Sequence, residues 1–173
     1  GSFNAALLRT VIELAPAGTT IEAASIKGIP LYDGDVEAKG MPPAVIELKE
    51  KIATGDALLI ATPEYNYSVP GVLKNAIDWA SRPPATSALR HKPIALMGAS
   101  GGHFGTVRAQ LALRQVFLFT ESFVLLRPEV LVSDAATKFD RDGNLHDEAI
   151  RQRIRALIEA LVDWTHRLRR SSP

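Results

Sequence analysis

The amino-acid sequence predicts an α/β protein with a doubly wound parallel sheet and helices on both faces, in three layers. Two apolar runs of strand length, residues 57–61 and 93–97, are continuous rather than alternating, which is typical of parallel strands buried on both faces. Segments with apolar residues at helical spacing lie between the strand-like runs. Strands that alternate with helices of this length imply right-handed crossovers, and therefore a layered sheet.

The individual elements follow from local patterns in chain order. The first helix is predicted over residues 4–14, because apolar residues recur at near-helical spacing and a Pro-Ala-Gly stop follows. The β-branched segment 20–24 is predicted as a strand, and residues 26–43, with six Gly or Pro, as a long surface loop. The remaining predictions are a helix over 44–53, a strand over 57–61, a helix over 71–80, a strand over 93–97, a helix ending near 120, one bent or two short strands over 123–132, and a long amphipathic helix from 147.

Composition places the chain among ordinary globular domains. Of its 173 residues, 46% are hydrophobic and 23% are charged, and the net charge of +1 gives no field that would draw nucleic acid or an anionic membrane. The absence of cysteine excludes a disulfide scaffold and suits a reducing cytoplasm. No apolar stretch reaches the roughly 18 residues of a membrane span. We expect one soluble, cytoplasmic domain over residues 1–173.

Ligands of doubly wound sheets bind outside the carboxyl ends of the strands. Three loops qualify by position, namely residues 1–4, 62–69 and 99–105. Ser2 and Asn4 stand at the mouth of the first helix, where free N–H groups and the helix dipole favour an anion such as phosphate. Ordinary N-capping of the helix explains the same two residues.

The loop after the strand at 57–61 has the composition of a platform for a planar ring. It contains two tyrosines, two prolines and an asparagine between a buried strand and a helix, a stiff and partly apolar combination. A rigid surface turn with packed tyrosines fits the composition equally well, so residue types alone leave both interpretations open.

A resemblance to a known protein family favours the platform for a planar ring over the simple surface turn. The run ATPEYNYSVPGVLKNAIDW, residues 61–79, resembles the hallmark of the NADPH-dependent FMN reductase family, which comprises quinone, chromate and azo-dye reductases of flavodoxin-like fold. Residues 1–4 resemble the end of that family's phosphate loop, and Ser100-Gly101-Gly102 resembles its third flavin loop. The similarity of order and spacing covers essentially the whole chain. It implies a flavodoxin-like, five-stranded parallel sheet.

The resemblance also implies a cofactor, FMN, with NADPH or NADH as the electron donor. Carried over by position, its cofactor-binding residues are Ser2 and Asn4 at the phosphate, Pro63, Glu64, Tyr65 and Asn66 along the isoalloxazine, largely through backbone groups, and Ser100, Gly101 and Gly102 on the other side of the ring. No catalytic side chain is predicted, because hydride transfer is chemistry that the cofactor performs. The four histidines share no metal-ligand spacing, so no metal site is predicted.

The function implied is transfer of electrons from NAD(P)H through FMN, by a ping-pong mechanism, to quinones or similar small acceptors such as chromate, azo compounds or free flavin. The alternatives are a non-enzymatic FMN-binding electron carrier or regulator on the same fold, and a flavin-free interaction module. The resemblance implies a homodimer or homotetramer, in which Arg108 and Glu129 form an inter-subunit pair, an internal pair or solvated charges. Arg82 and Arg90 are candidates for a nicotinamide 2′-phosphate, or again solvated charges.

In one respect the sequence departs from the family's pattern. The family has an additional strand ahead of its phosphate loop, central in the sheet, together with a first Gly-Ser-x-Arg. A sheet without that strand would leave two buried strand edges unpaired. We therefore expect residues upstream of Gly1 to supply it, and expect flavin binding and stability to depend on it.

Overall fold

The computed structural model describes residues 2–170 of the chain. Its helices are α1 (Phe3–Glu13), α2 (Gly34–Lys39), α3 (Pro43–Thr54), α4 (Gly71–Ala80), α5 (Val107–Phe119) and α6 (Glu148–Arg170). Its strands are β1 (Leu58–Ala61), β2 (Pro93–Ala99), β3 (Phe123–Val124) and β4 (Val130–Val132). Within residues 2–170, no helix is both long enough and apolar enough to span a bilayer.

The sheet is parallel throughout, as predicted. Strand β2 pairs with β1 along one edge, in the register that places Leu58 beside Ile94. Along its other edge β2 pairs with β3 at its start and with β4 at its end. The two short strands around Pro128 thus follow one edge of β2, in agreement with the prediction for residues 123–132. Strand β2 lies at the centre of these pairings and is buried along its whole length.

Helices cover both faces of this sheet, which confirms the three-layer architecture. Alternate residues of a strand point to opposite faces, and the two apolar clusters of the core divide accordingly. Ala95 and Met97 of β2 pack in the cluster formed with α1 and α6. Ile94 and Leu96 pack in the cluster formed with α3, α4 and α5. The amphipathic patterns of the helices therefore each bury one stripe against the sheet.

The segment predicted as a strand over residues 20–24 is not a strand in the structure. This segment and β1 both line a cavity of about 720 Å³ that also borders α1, α4 and α6. A strand requires a partner within about 4.8 Å, and the cavity separates the segment from β1, so no ladder forms. In the flavodoxin-like strand order the additional strand of the family lies between these two positions.

A short helix, α2, forms inside the region predicted as a continuous loop. Asp33 caps it, because its carboxylate accepts a hydrogen bond of 2.8 Å from the N–H of Asp35. Acidic residues occupy its first turn, and Gly40, with a φ of 128°, ends it. These capping signals are visible in the sequence, but a helix of six residues carries too little apolar periodicity to be recognised.

Candidate functional site

The three predicted loops meet at the carboxyl edge of the sheet. Asn4, in the first turn of α1, places its side chain against the last residue of β2. Its amide nitrogen donates to the carbonyl of Ala99 and its amide oxygen accepts from the N–H of Ala99, both at 2.9 Å. The Asn4 side chain is buried, and this pair of bonds fixes the start of α1 beside the start of the loop after β2.

The beginning of α1 has the geometry of an anion-binding helix terminus. The hydroxyl oxygen of Ser2 accepts a hydrogen bond of 3.3 Å from the N–H of Ala5, so Ser2 is the N-cap. The N–H groups of Phe3 and Asn4 donate to no other group in residues 2–170. Gly1 lies outside the described residues. The Asn4 side chain already bonds to Ala99, so only the backbone N–H of Asn4 is free to bind a ligand.

The loop after β1 forms a tight turn that displays two aromatic rings. Tyr65 and Ser68 exchange backbone hydrogen bonds of 3.1 and 3.0 Å. Between them Asn66 and Tyr67 have φ values of 49° and 66°, the left-handed pair of a type I′ turn. Tyr65 is 61% exposed and Tyr67 is 73% exposed. The rigid-turn interpretation of this loop is therefore correct for its backbone, and it leaves the rings at the surface.

Glu64 turns away from the surface and caps α5. One carboxylate oxygen accepts from the N–H groups of Arg108 and Ala109, at 2.8 and 3.1 Å, and the other pairs with the Arg108 guanidinium at 2.8 Å. The helix's own N-cap residue, Thr106, makes no capping bond. Burial favours a higher pKa for Glu64, but the hydrogen bonds from Arg108 and Ala109 outweigh it and hold the pKa below its ordinary value.

The Arg108 side chain lies between two aromatic rings. Its guanidinium carbon is 3.8 Å from the ring centre of Tyr67 and 4.5 Å from that of Phe104. These are cation–π distances. Both ring contacts were absent from the sequence-based predictions. Tyr67 lies on a loop that is separated from Arg108 by an entire βα unit, so no local pattern indicates that contact. Phe104 lies only four residues before Arg108, and this spacing could have indicated the second contact.

The loop after β2 is fastened at its base and open at its tip. Ser100 donates its N–H to the carbonyl of Val132 and accepts from the N–H of Ala135. The Ser100 hydroxyl accepts from the N–H of Gly102 at 3.2 Å. A side chain built on Gly101 would meet no atom within 4 Å. Beyond the glycines, His103 is 88% exposed and its ring nitrogen lies 3.0 Å from the Asp134 carboxylate.

One glycine at this edge is required by packing. A Cβ on Gly98 would overlap the carbonyl oxygen of Thr62 and the side chain of Thr106. Both threonines are completely buried, so neither has room to move. The absence of a side chain at Gly98 thus allows the first residue of the loop after β1 and the N-cap residue of α5 to pack together at the end of β2.

The other charged residues that the sequence suggested as contacts for a nucleotide phosphate or for Arg108 lie away from this edge of the sheet or pair with different residues. Arg90 precedes β2 and pairs with Glu121 at 2.8 Å, while Arg82 follows α4 and donates to the hydroxyl of Tyr32. Both arginines are at the amino edge of the sheet, which argues against contact with a nicotinamide phosphate at the other edge. Glu129 pairs with Arg127 at 2.6 Å and not with Arg108 within the chain. In residues 2–170 no three His, Asp or Glu side chains group as a metal site would require.

The groups at the carboxyl edge fit an elongated ligand with a phosphate at one end and a planar, polar-edged ring at the other. The start of α1 offers an anion two backbone donors and the positive end of a helix dipole. The N–H groups of Asn66, Tyr67 and Gly101 have no acceptor among the described residues, and backbone donors of this kind suit the polar edge of a flavin. The open side of Gly101 admits close approach of a ring.

Comparison with known proteins gives matches to FMN reductases and quinone reductases. The sequence profile of the NADPH-dependent FMN reductase family matches residues 1–137. The chain is 53% identical over 169 residues to an NAD(P)H-dependent FMN reductase of Pseudomonas aeruginosa, covering 98% of this chain and 91% of that protein. It is 40% identical over 172 residues to a quinone reductase of Escherichia coli, with the same coverages of 98% and 91%.

A solved structure is similar in fold as well as in sequence. It is that of a flavoenzyme NAD(P)H:(acceptor) oxidoreductase from Paracoccus denitrificans, which superimposes with a TM-score of 0.86 at 34% identity. The alignment covers 96% of this chain and 91% of that one.

Proposed function

This chain belongs to the NADPH-dependent FMN reductase family, and on that premise we propose that it transfers electrons from NAD(P)H to quinones through FMN. It is an oxidoreductase of the NAD(P)H-dependent FMN reductase and quinone reductase type. We extend the proposal to chromate, azo compounds and free flavin as further acceptors. When bound, FMN supplies the redox chemistry, receiving a hydride from NAD(P)H and passing electrons to the acceptor in a second encounter, which is a ping-pong order.

The observation that carries this proposal is the convergence of three loops at the carboxyl edge of the sheet. Asn4 joins the start of α1 to the end of β2, and Glu64 joins the loop after β1 to the start of α5. A phosphate at the α1 terminus and a ring between the other two loops would then be held by one continuous surface. This arrangement supports a bound flavin whose outer face is open to small planar reactants.

In this proposal the residues of the chain bind FMN and orient it. Ser2 and Asn4 hold the phosphate in this proposal, with the backbone N–H of Asn4 in place of its committed side chain. Backbone groups of Pro63, Glu64, Tyr65 and Asn66 line the ring, and Ser100, Gly101 and Gly102 close its other side. The Glu64 carboxylate takes no part in proton transfer, since three N–H donors already engage it.

Assembly and location belong to the same proposal. Exposed apolar side chains on the outer face of α5, namely Leu111, Leu118 and Phe119, support association into a homodimer or homotetramer. We propose one FMN-binding domain over residues 1–173. We place it in the cytoplasm, because a chain without cysteine suits a reducing compartment.

The test is anaerobic stopped-flow absorbance of the FMN-loaded protein, mixed first with NADPH or NADH and then with a quinone. We expect rapid bleaching of the flavin band by the nucleotide and its recovery on addition of quinone. Bound FMN that stays oxidised for seconds would instead support an electron carrier or regulator. Failure to bind FMN would support the flavin-free interaction module.

A further inference from the structure

Arg108 connects the tips of two loops that come from different parts of the chain. Its guanidinium carbon lies 3.8 Å from the ring centre of Tyr67, which belongs to the loop after β1. The same carbon lies 4.5 Å from the ring centre of Phe104, which belongs to the loop after β2. One cation is therefore held between two rings, and each ring is part of a separate loop.

Glu64 holds Arg108 in this place. The Glu64 side chain is only 8% exposed, and its ion pair with Arg108 measures 2.8 Å. Rotation of the Arg108 side chain away from the rings would leave a buried carboxylate without its counter-charge, which is costly. The guanidinium is thus fixed relative to α5, and the Arg108 side chain as a whole is only 27% exposed.

The loop tips have few other attachments. At the tip of the loop after β1, the backbone hydrogen bonds close a turn between Tyr65 and Ser68. Those of the loop after β2 run to residues 132–135 at its base, stay within the loop, or join the carbonyl of Phe104 to the N–H of Val107 at the start of α5. The residues Tyr67 and Phe104 are 73% and 65% exposed, so few other groups cover them. Among the described residues, Arg108 is the side chain that contacts both rings.

We propose that Arg108 is a positioning residue that clamps the tips of these two loops and thereby sets their separation before a flavin binds. The purpose of the clamp rests on the function proposed above, but the clamp itself belongs to the apoprotein. A binding surface that is already ordered loses less conformational entropy when its ligand arrives, so the clamp raises the affinity for FMN without touching its phosphate.

The experiment compares Arg108→Met, which keeps much of the side-chain length but removes the charge and the planar donors, with Arg108→Lys and Arg90→Met. Arg90 is a matched control because it forms a surface ion pair at the opposite edge of the sheet. Hydrogen exchange of the apoprotein is measured on peptides covering residues 62–70 and 100–106. Dissociation constants for FMN are measured by flavin fluorescence.

In Arg108→Met we expect exchange to accelerate about fivefold or more in both loops, and the dissociation constant for FMN to rise about tenfold. For Arg108→Lys, the exchange rates and the FMN dissociation constant should lie between those of Arg108→Met and the wild type, because an ammonium keeps the charge but cannot stack as a planar group. Arg90→Met should leave both readouts unchanged. A general loss of stability would accelerate exchange across the whole sheet, and this pattern would contradict a clamp.

The proposal is overturned if Arg108→Met loosens neither loop or only one of them, or if the FMN dissociation constant stays within about twofold of the wild type. If Arg108→Met does not fold, Phe104→Leu takes its place, with faster exchange in residues 100–106 expected and unchanged exchange contradicting the clamp. If wild-type apoprotein fails to bind FMN while Arg108→Met loosens both loops, the clamp stands and the proposed function fails.

Discussion

Asn4 and Ala99 exchange two hydrogen bonds of 2.9 Å, although 95 residues separate them in the chain. The pair is buried, so the backbone N–H and C=O of Ala99 have no water to replace the Asn4 side chain. Through this contact the start of the first helix is held at the end of the central strand of the described sheet.

We expect Asn4→Ala to lower the free energy of unfolding by about 2 to 4 kcal/mol, because it leaves two buried backbone groups unpaired. Urea unfolding followed by circular dichroism measures the change. Gln152→Ala, at an exposed position of α6, is the control and should stay within about 0.5 kcal/mol of the wild type. A loss for Asn4→Ala no larger than the control's would mean that the contact contributes nothing.

Gly98→Ala tests the packing at the end of β2. The added methyl group overlaps the Thr62 carbonyl and the buried Thr106 side chain, so the two loops must separate. We expect a cost of about 1 to 3 kcal/mol, as for overpacked cores, measured as a lower midpoint of thermal unfolding. Gly101→Ala, where the new Cβ has open space, provides the stability control and should unfold close to the wild type.

The Glu64 carboxylate should contribute to stability in a pH-dependent way. Its pKa in the folded protein is below the ordinary value, so its contribution is complete above the unfolded pKa of about 4.3 and is lost as the pH falls through the folded pKa. We expect Glu64→Gln to cost about 1 to 3 kcal/mol at neutral pH, and this difference from the wild type to shrink below about pH 4.

Urea unfolding of both proteins across this pH range provides the measurement. Glu159→Gln, on the exposed face of α6, is the control because the Glu159 carboxylate does not cap a helix. A difference between wild type and Glu64→Gln that grows on acidification would contradict the assigned role.

Ser2→Asp separates the stability of α1 from its capacity to bind an anion. A carboxylate at the N-cap favours the helix dipole and should stabilise the protein by about 0.5 kcal/mol. The same charge should repel a phosphate at the free N–H groups of Phe3 and Asn4. We therefore expect the affinity for FMN to fall about tenfold or more, a loss of about 1.4 kcal/mol, and the affinity for riboflavin to stay nearly constant.

Fluorescence titration with the two flavins measures both affinities. Equal losses for FMN and riboflavin would show that the substitution disturbs the loops in general. An unchanged FMN affinity would place the phosphate elsewhere.

Local patterns in the sequence were sufficient for the five longer helices and for the strands β1 to β4, but not for the short helix α2. The periodicity of α6 and the continuous apolar run of β1 are properties of neighbouring residues, and burial of one stripe or of both faces follows from them directly. The resemblance over residues 61–79 then indicated the family, which the comparisons confirm. The assignment of individual site residues to FMN remains a prediction.

The tertiary structure alone decided which side chains are free at the site. The sequence predicts both Asn4 and Glu64 at a flavin, but only the fold shows that the Asn4 amide is bonded to Ala99 and that the Glu64 carboxylate caps α5. Likewise, residues 20–24 have strand propensity but no ladder, because pairing requires a neighbouring strand at hydrogen-bonding distance. Periodicity and propensity are local and can be read from the sequence, whereas hydrogen-bond partners and ring contacts between distant residues are set by how the layers pack.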